Sequence, residues 1–453
     1  MVLPLLSLLV LLVSPSSFAS SSSQNLARPG ALIHKAVAAA AGPALQNQPF
    51  TVVWNMPTAK CQKHHNVQLD LEEFDIVENQ KQRFQGQRMT IFYRDHLGKY
   101  PYLSHGGRKV NGGLPQLGDL SAHLALTVKQ LSILLHPKFS GMAVIDWEEW
   151  EPLWASNLGS KMEYRRLSKL LVRQERPGLL EKDVKLLARQ QFEESARRFM
   201  EETLRLAVKH RPKGFWGFYG FPSCFNKHKR KTDQTYTGRC HKGTRQNNDQ
   251  LSWLWTQSTA LYPSIYLPQR LAGSADAALM VRHRLLEALR VASIWRHGNK
   301  TVHATPVLPY ARLAFTHSLS FLNQTDLEHT LGESASLGAA GVVLWGDMKF
   351  AKSKQQCILL RKYVHSVLGP FIQSLRSDTQ SCSLQLCHGN GRCTRRRPSS
   401  SHRLSSASVH TSDPHGAAGP GSSGYFHRHF LCQCFPGWTG TECHENGSGQ
   451  NRD

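Results

Sequence analysis

No stretch of this 453-residue sequence is apolar for long enough to cross a bilayer. The longest run, residues 3–13, falls well short of the roughly 20 residues a spanning helix needs. The small residues Ser14-Pro15-Ser16-Ser17-Phe18-Ala19-Ser20 follow it, so residues 1–20 read as a secretory signal peptide rather than an anchor. A basic n-region is missing, which leaves the α-amino group to supply that charge. The C-terminal CHENGSGQNRD lacks the hydrophobic tail of a lipid-anchor signal. Neither a membrane span nor a lipid anchor is expected. Acidic residues are scarce, 32 against 55 Lys and Arg, for a formal charge of +23 with 23 histidines besides. Such a field attracts polyanions. The charge is scattered and no nucleic-acid module accompanies it, which argues against DNA or RNA and for an acidic polysaccharide. The runs KHKRK at 227–231 and Arg395-Arg396-Arg397 fall in expected loops, where basic blocks are usually solvated.

Ten cysteines, an even number, fit an oxidising compartment, and sequons at Asn299, Asn323 and Asn446 are compatible with glycosylation there. The expected location is the secretory pathway, ending outside the cell or in the lysosome. The length suits one large domain plus an appendage. A Ser- and Ala-rich lead segment occupies 21–47. Strand-like runs then recur at 50–54, 89–93, 142–145, 215–219, 264–267, 307–313 and 341–345. Helical patterns lie between several of them, at 123–135, 183–209, 277–292 and 326–337. Alternation of this kind implies a parallel sheet with helices outside, most economically a closed β/α barrel over 48–378. Such a barrel carries its working residues at strand C-terminal ends.

From about residue 380 the texture changes. The spacing Cys382-x4-Cys387-x5-Cys393, then Cys432-x-Cys434-x8-Cys443, reads as an EGF-like module over 379–445, with a tail at 446–453. EGF-like folds pair first with third, second with fourth and fifth with sixth. That gives Cys382–Cys393, Cys387–Cys432 and Cys434–Cys443. A zinc site is the competing use of these cysteines. The insertion at 394–430 is rich in Ser, His, Gly and Arg and is expected to be disordered.

The chemistry centres on GMAVIDWEEWEPLW at 141–154. Met142-Ala143-Val144-Ile145 reads as a buried strand, with Asp146 and Glu148 at its C-terminal end. Residues two apart on a strand face the same way, so both carboxyls would aim into one cleft. With Trp147, Trp150 and Trp154 as walls, water exclusion would raise a carboxyl pKa and let one acid donate a proton, as glycosidic bond cleavage requires. The alternative is an Asp capping the next helix and a surface Glu.

Together with WNMPTAKC, IFYRDHLGKYPYL, GFWGFYGFPSCFN, NDQLSWLWTQSTALYPSIYLP and LGAAGVVLWGD, this stretch resembles the animal hyaluronidases over residues 48–443. Within that family HGNGRC, YTGRC and VVLWGD look closest to the third mammalian paralogue. The resemblance implies a distorted β/α barrel followed by the EGF-like module. It also implies an endo-β-N-acetylhexosaminidase that cleaves hyaluronan, or chondroitin, with retention. Glu148 then matches the general acid/base, Asp146 the residue that orients the substrate acetamido group, and Tyr266 a tyrosine that hydrogen-bonds it. Tyr93, Tyr219, Trp345 and Arg284 match substrate-binding residues, although each ring could equally be core and Arg284 a solvated helix face. Cys61–Cys357 and Cys224–Cys240 are the implied barrel disulfides. No metal or cofactor is implied, and a monomer is expected. Three departures stand out. Ser223 and Phe225 replace the Asp and Tyr usual around Cys224, and Glu151 stands where Arg is common. They motivate a second reading, a weakly active or inactive paralogue that binds hyaluronan or modulates another hyaluronidase.

Overall fold

The computed structural model describes residue 44 and residues 48–78, 84–226, 235–294, 304–404 and 422–446. The expected signal segment, nearly all of the lead segment, the KHKRK run, the Asn299 sequon and the tail beyond Asn446 lie outside them. Its central strands are β1 (Thr51–Asn55), β2 (Ile76–Val77), β3 (Met89–Tyr93), β4 (Met142–Asp146), β5 (Phe215–Phe218), β6 (Tyr310–Ala311) and β7 (Gly341–Trp345). All pair in parallel, β3-β4-β5 in one run and β2-β1-β7-β6 in the other. Isolated bridges through residues 261–264 join the runs: Tyr219 to Tyr262, Leu261 to Val307 and Ser264 to Tyr310. This is a β/α barrel. It is distorted, because β2 and β3 do not pair among the described residues.

Two expected strands are corrected. Residues 264–267 form only an isolated bridge, and 307–313 shrinks to Tyr310–Ala311. Proline explains both. Pro263, Pro268, Pro306 and Pro309 have no N–H to donate to a ladder.

The strands read as near-continuous apolar runs because both faces are covered. Inward-pointing residues alternate with outward ones. Val53, Met89, Ile91, Met142, Val144, Tyr262, Leu308, Tyr310 and Val343 fill the barrel. Val52, Trp54, Phe92, Ile145, Trp216, Phe218 and Leu344 pack outward against the helices. Those helices include α1 (Leu120–Leu134), α2 (Met162–Glu175), α3 (Glu181–His210) and α4 (Ala275–Ile294). Asp119 starts α1 by accepting a hydrogen bond from the Ala122 N–H at 2.9 Å. Along α3, Val184, Ala188, Phe192, Ala196, Phe199 and Thr203 form one buried stripe at helical spacing.

The chain passes through the expected boundary at 378/379 inside a helix, α5 (Gly369–Cys387), which carries Cys382 and Cys387. Beyond it come β8 (Gly391–Arg395), α6 (Ser422–His429) and β9 (Phe430–Cys434), with β8 and β9 antiparallel. The five disulfides are Cys61–Cys357, Cys224–Cys240, Cys382–Cys393, Cys387–Cys432 and Cys434–Cys443. The expectation of disorder over 394–430 is overturned for its described residues, 394–404 and 422–430. Tyr425, Phe426 and Phe430 are buried there. Arg395, read as part of a solvated run, has no exposed side-chain surface (0%) and forms a two-pronged pair with Glu333 at 2.8 and 2.9 Å. Arg282 donates to the same carboxylate at 2.6 Å. Burial would raise the Glu333 carboxyl, but the two guanidiniums outweigh it and hold the group below its ordinary value. Among the described residues no helix is long and apolar enough to cross a membrane. Asn323 and Asn446 are both exposed, and Asn323 also caps a short helix by accepting from the Asp326 N–H at 2.9 Å.

Candidate active site

Alternation along the strands brings the expected residues together. Tyr93 ends β3, Asp146 ends β4, Tyr219 follows β5 and Trp345 ends β7. Each continues the inward row of its strand, so all face the C-terminal mouth of the barrel. Tyr93 is opposite Asp146 in the β3–β4 register. The Trp345 indole N–H donates to the Tyr93 hydroxyl at 3.1 Å. Tyr266 stacks on Trp345, with ring centres 6.2 Å apart, and lies 6.0 Å from the Tyr219 ring. Tyr219 pairs with the Ser264 hydroxyl at 3.4 Å, and burial pushes its phenol up to about 12.

Glu148 lies two residues past the end of β4, open to solvent on one side but crowded by neighbouring protein. Burial raises its carboxyl. Lys161 opposes that rise, and Glu151 and Glu149 add to it. Asp146 is raised further, by burial first and then by the charges of Glu148 and Glu149. One Asp146 oxygen, Oδ1, is buried with no protein partner. Two carboxyls in one cleft therefore hold a proton to higher pH than either would in water.

The loop that carries Glu148 is stapled by Asn157. Its Oδ1 accepts from the Glu151 N–H and its Nδ2 donates to the Glu151 carbonyl, both at 2.9 Å. The Glu151 side chain pairs with Lys161 at 2.5 Å, so the charge expected to repel a substrate carboxylate is already countered. Glu149 pairs with Arg94.

The tryptophan walls are a correction. Trp147, Trp150 and Trp154 are buried in the layer between sheet and helices. Trp147 stacks on Tyr100 at 4.5 Å and meets Phe218, and Trp154 meets Phe192. Residue 147 sits between two inward residues and so points the other way. The cleft is instead walled by Tyr93, Tyr219, Tyr266 and Trp345, with Phe84 stacked behind Trp345 at 6.0 Å. Arg284 is no solvated helix residue either. Its guanidinium donates to Asn226 Oδ1 at 2.8 Å and to the Ser264 carbonyl at 2.9 Å, bracing the segment that bears Tyr266.

Three residues at this mouth were not singled out in the sequence. Asn55 ends β1 on the inward row, fully buried, with both amide atoms unpartnered by protein. The Tyr310 hydroxyl is likewise buried and unpartnered. Arg312 lies over the Trp345 and Tyr266 rings, at 5.3 and 5.7 Å, and faces Asp347 at 3.8 Å. The strand-end rule finds Asn55. Arg312 was hidden inside the overlong 307–313 strand.

Residues 39–447 match the family model described as hyaluronidase. The chain belongs to the hyaluronidase family. Hyaluronidase-1 of Sus scrofa is 43% identical over 90% of this chain and 94% of its own length. Hyaluronidase-3 of Homo sapiens is 44% identical over 89% and 92%. Paralogues 1 and 3 are thus equally near, and the likeness to the third is not distinguished. Among solved hyaluronidases, the bee venom protein is 34% identical with a TM-score of 0.62, covering 72% of this chain and 99% of that one. It has also been solved in complex with a hyaluronic acid tetramer, and that structure matches with a TM-score of 0.63. Against this family background, Ser223 is half-buried with its carbonyl held by Asn248 at 3.0 Å, and Phe225 is 51% exposed.

Proposed function

We propose that this hyaluronidase-family chain is an endoglycosidase of the secretory pathway that hydrolyses the β-1,4 N-acetylglucosaminide bonds of hyaluronan. The observation that carries the reading is the raised Asp146–Glu148 pair in an aromatic-walled cleft at the barrel mouth. The disulfides and exposed sequons support the location.

Glu148 is the more accessible carboxyl and delivers the proton. It protonates the glycosidic oxygen as the bond to the anomeric carbon breaks. No second carboxylate attacks. The substrate's own acetamido oxygen closes on the anomeric carbon, giving a cyclic, positively charged intermediate and the net retention of substrate-assisted families. The Asp146 carboxylate accepts the acetamido N–H and balances the developing charge. That hydrogen bond favours the anionic form of Asp146, which leaves the pair's proton on Glu148. Tyr266 steadies the same group. In the second half Glu148, now anionic, takes a proton from the attacking water and the ring reopens. Tyr93, Tyr219 and Trp345 offer faces to sugar rings. Arg284 acts through the Tyr266 segment.

Incubation with hyaluronan from acidic to neutral pH should shorten the polymer on gels and expose new reducing ends on N-acetylglucosamine. Saturable binding with intact polymer at every pH would instead establish the binding paralogue, with Ser223 and Phe225 as the first residues to revert.

The pH profile carries a further prediction. Turnover needs a protonated donor, so it falls as pH rises through the raised value. Lys161 holds that value down. Lys161→Gln should move the alkaline limb of kcat to higher pH, measured by reducing-end release across pH. An unmoved or lowered limb would remove Lys161 from the electrostatics of the site.

A further inference from the structure

Away from the cleft, four side chains meet on the C-terminal module. His388 follows the last residue of α5 in a left-handed conformation (φ 52), and the next N–H, that of Gly389, donates to the Ser383 carbonyl at 2.9 Å. The adjacent half-cystine Cys387 is bridged to Cys432. Glu442 and His444 flank Cys443, which is bridged to Cys434. Asn390 ties the two loops together, donating to the Cys443 carbonyl at 3.1 Å. Backbones on both sides of the cluster are therefore anchored before any ligand arrives.

One donor atom from each of His388, Glu442 and His444 lies within 4.8 Å of the others. The two oxygens of Glu442 face different imidazoles, His388 at 3.6 Å and His427 of α6 at 3.8 Å. These separations are too long for hydrogen bonds, so the groups converge without satisfying one another. We infer that His388, Glu442 and His444 bind a zinc-class divalent cation, with His427 or water as the fourth donor. Tetrahedral zinc with bonds of about 2.0–2.1 Å sets its donor atoms roughly 3.3 Å apart. The exposed imidazoles of His388 and His444 can close that gap by rotamer changes. Imidazole nitrogens with one carboxylate suit zinc or copper and not calcium or magnesium, which take oxygen. The ion would join α5 to the loop around Cys443, a structural role independent of the hyaluronan reading.

The test is calorimetric titration of Zn2+ into chelator-stripped, full-length protein, with Ca2+ as control and thermal unfolding in parallel. Wild type should take up a saturable equivalent of Zn2+ with a raised Tm, and Ca2+ should do neither. His388→Asn keeps a residue suited to the left-handed backbone, so its fold is preserved. That variant, Glu442→Gln and His444→Gln should each weaken zinc binding about tenfold or more. Hyaluronan turnover in each should stay at the wild-type level, a check that each variant is folded. Zinc uptake unchanged in all three variants would place the ion on other histidines, and no saturable uptake by wild type would also overturn the site.

Discussion

Glu148→Gln should lower hyaluronan turnover by about 10^2- to 10^4-fold, the usual worth of a positioned general acid. The isosteric amide cannot give up a proton, but it keeps the size and polarity of the side chain. Stability separates a chemical loss from a folding loss. Burial raises the Glu148 carboxyl in the folded chain. A raised carboxyl supports the fold below its ordinary value, and that support disappears as pH rises through the raised value. At neutral pH the charged form burdens the fold, so the Gln variant should melt at the wild-type temperature or slightly above. Reducing-end release and thermal unfolding at pH 7 decide the matter. Full turnover in the variant would take the donor role away from Glu148, whereas a large fall in Tm would mean that lost activity reported misfolding.

The second large effect lies outside the cleft. Glu333→Gln should destabilise the protein by about 3–5 kcal/mol, because it leaves buried guanidiniums without their counter-charge. Arg395 and Arg282 both bond this carboxylate, whose side chain is 2% exposed. The sign with pH is opposite to that of Glu148. Here the folded value is depressed, so the contribution is present above the ordinary carboxylate value and lost as pH falls through the depressed one. The gap between wild type and variant should accordingly be widest near neutrality and close in acid. Thermal unfolding of both proteins from pH 7 down to pH 3 measures it, and a constant gap would show that the loss is one of packing rather than charge.

The site was legible where one rule of geometry sufficed. Apolar β-branched runs marked the strands, and the residues at their C-terminal ends, Tyr93, Asp146 and Trp345, gather at one mouth. The same alternation, applied to Trp147, would have sent it to the back of the sheet. Tyr266 and Arg284 were harder, because what positions them is a prolyl segment and the buried amide of Asn226, which no periodicity announces. Arg395 was misread because its partner lies 62 residues away, and a charge run shows nothing of distant counter-charges. The α5 helix left a usable signal. No glycine or proline interrupts the chain between Pro370 and Gly389, and the cysteine pattern drew attention away from that.

The Cys61–Cys357 bridge joins residues 296 positions apart, from just past the first strand to beyond the last strand of the barrel. Covalently, the barrel is a ring. A protease that cut once anywhere between those half-cystines, for instance within 227–234 or 295–303, would open the ring without releasing a fragment. The nicked protein would run as one band on a non-reducing gel and as two after thiol treatment. Cys387–Cys432 does the same for a cut within 405–421. Cleavage at such positions would therefore escape any assay that reads mass alone under oxidising conditions, and nicked molecules would stay in one piece until they met a reductant.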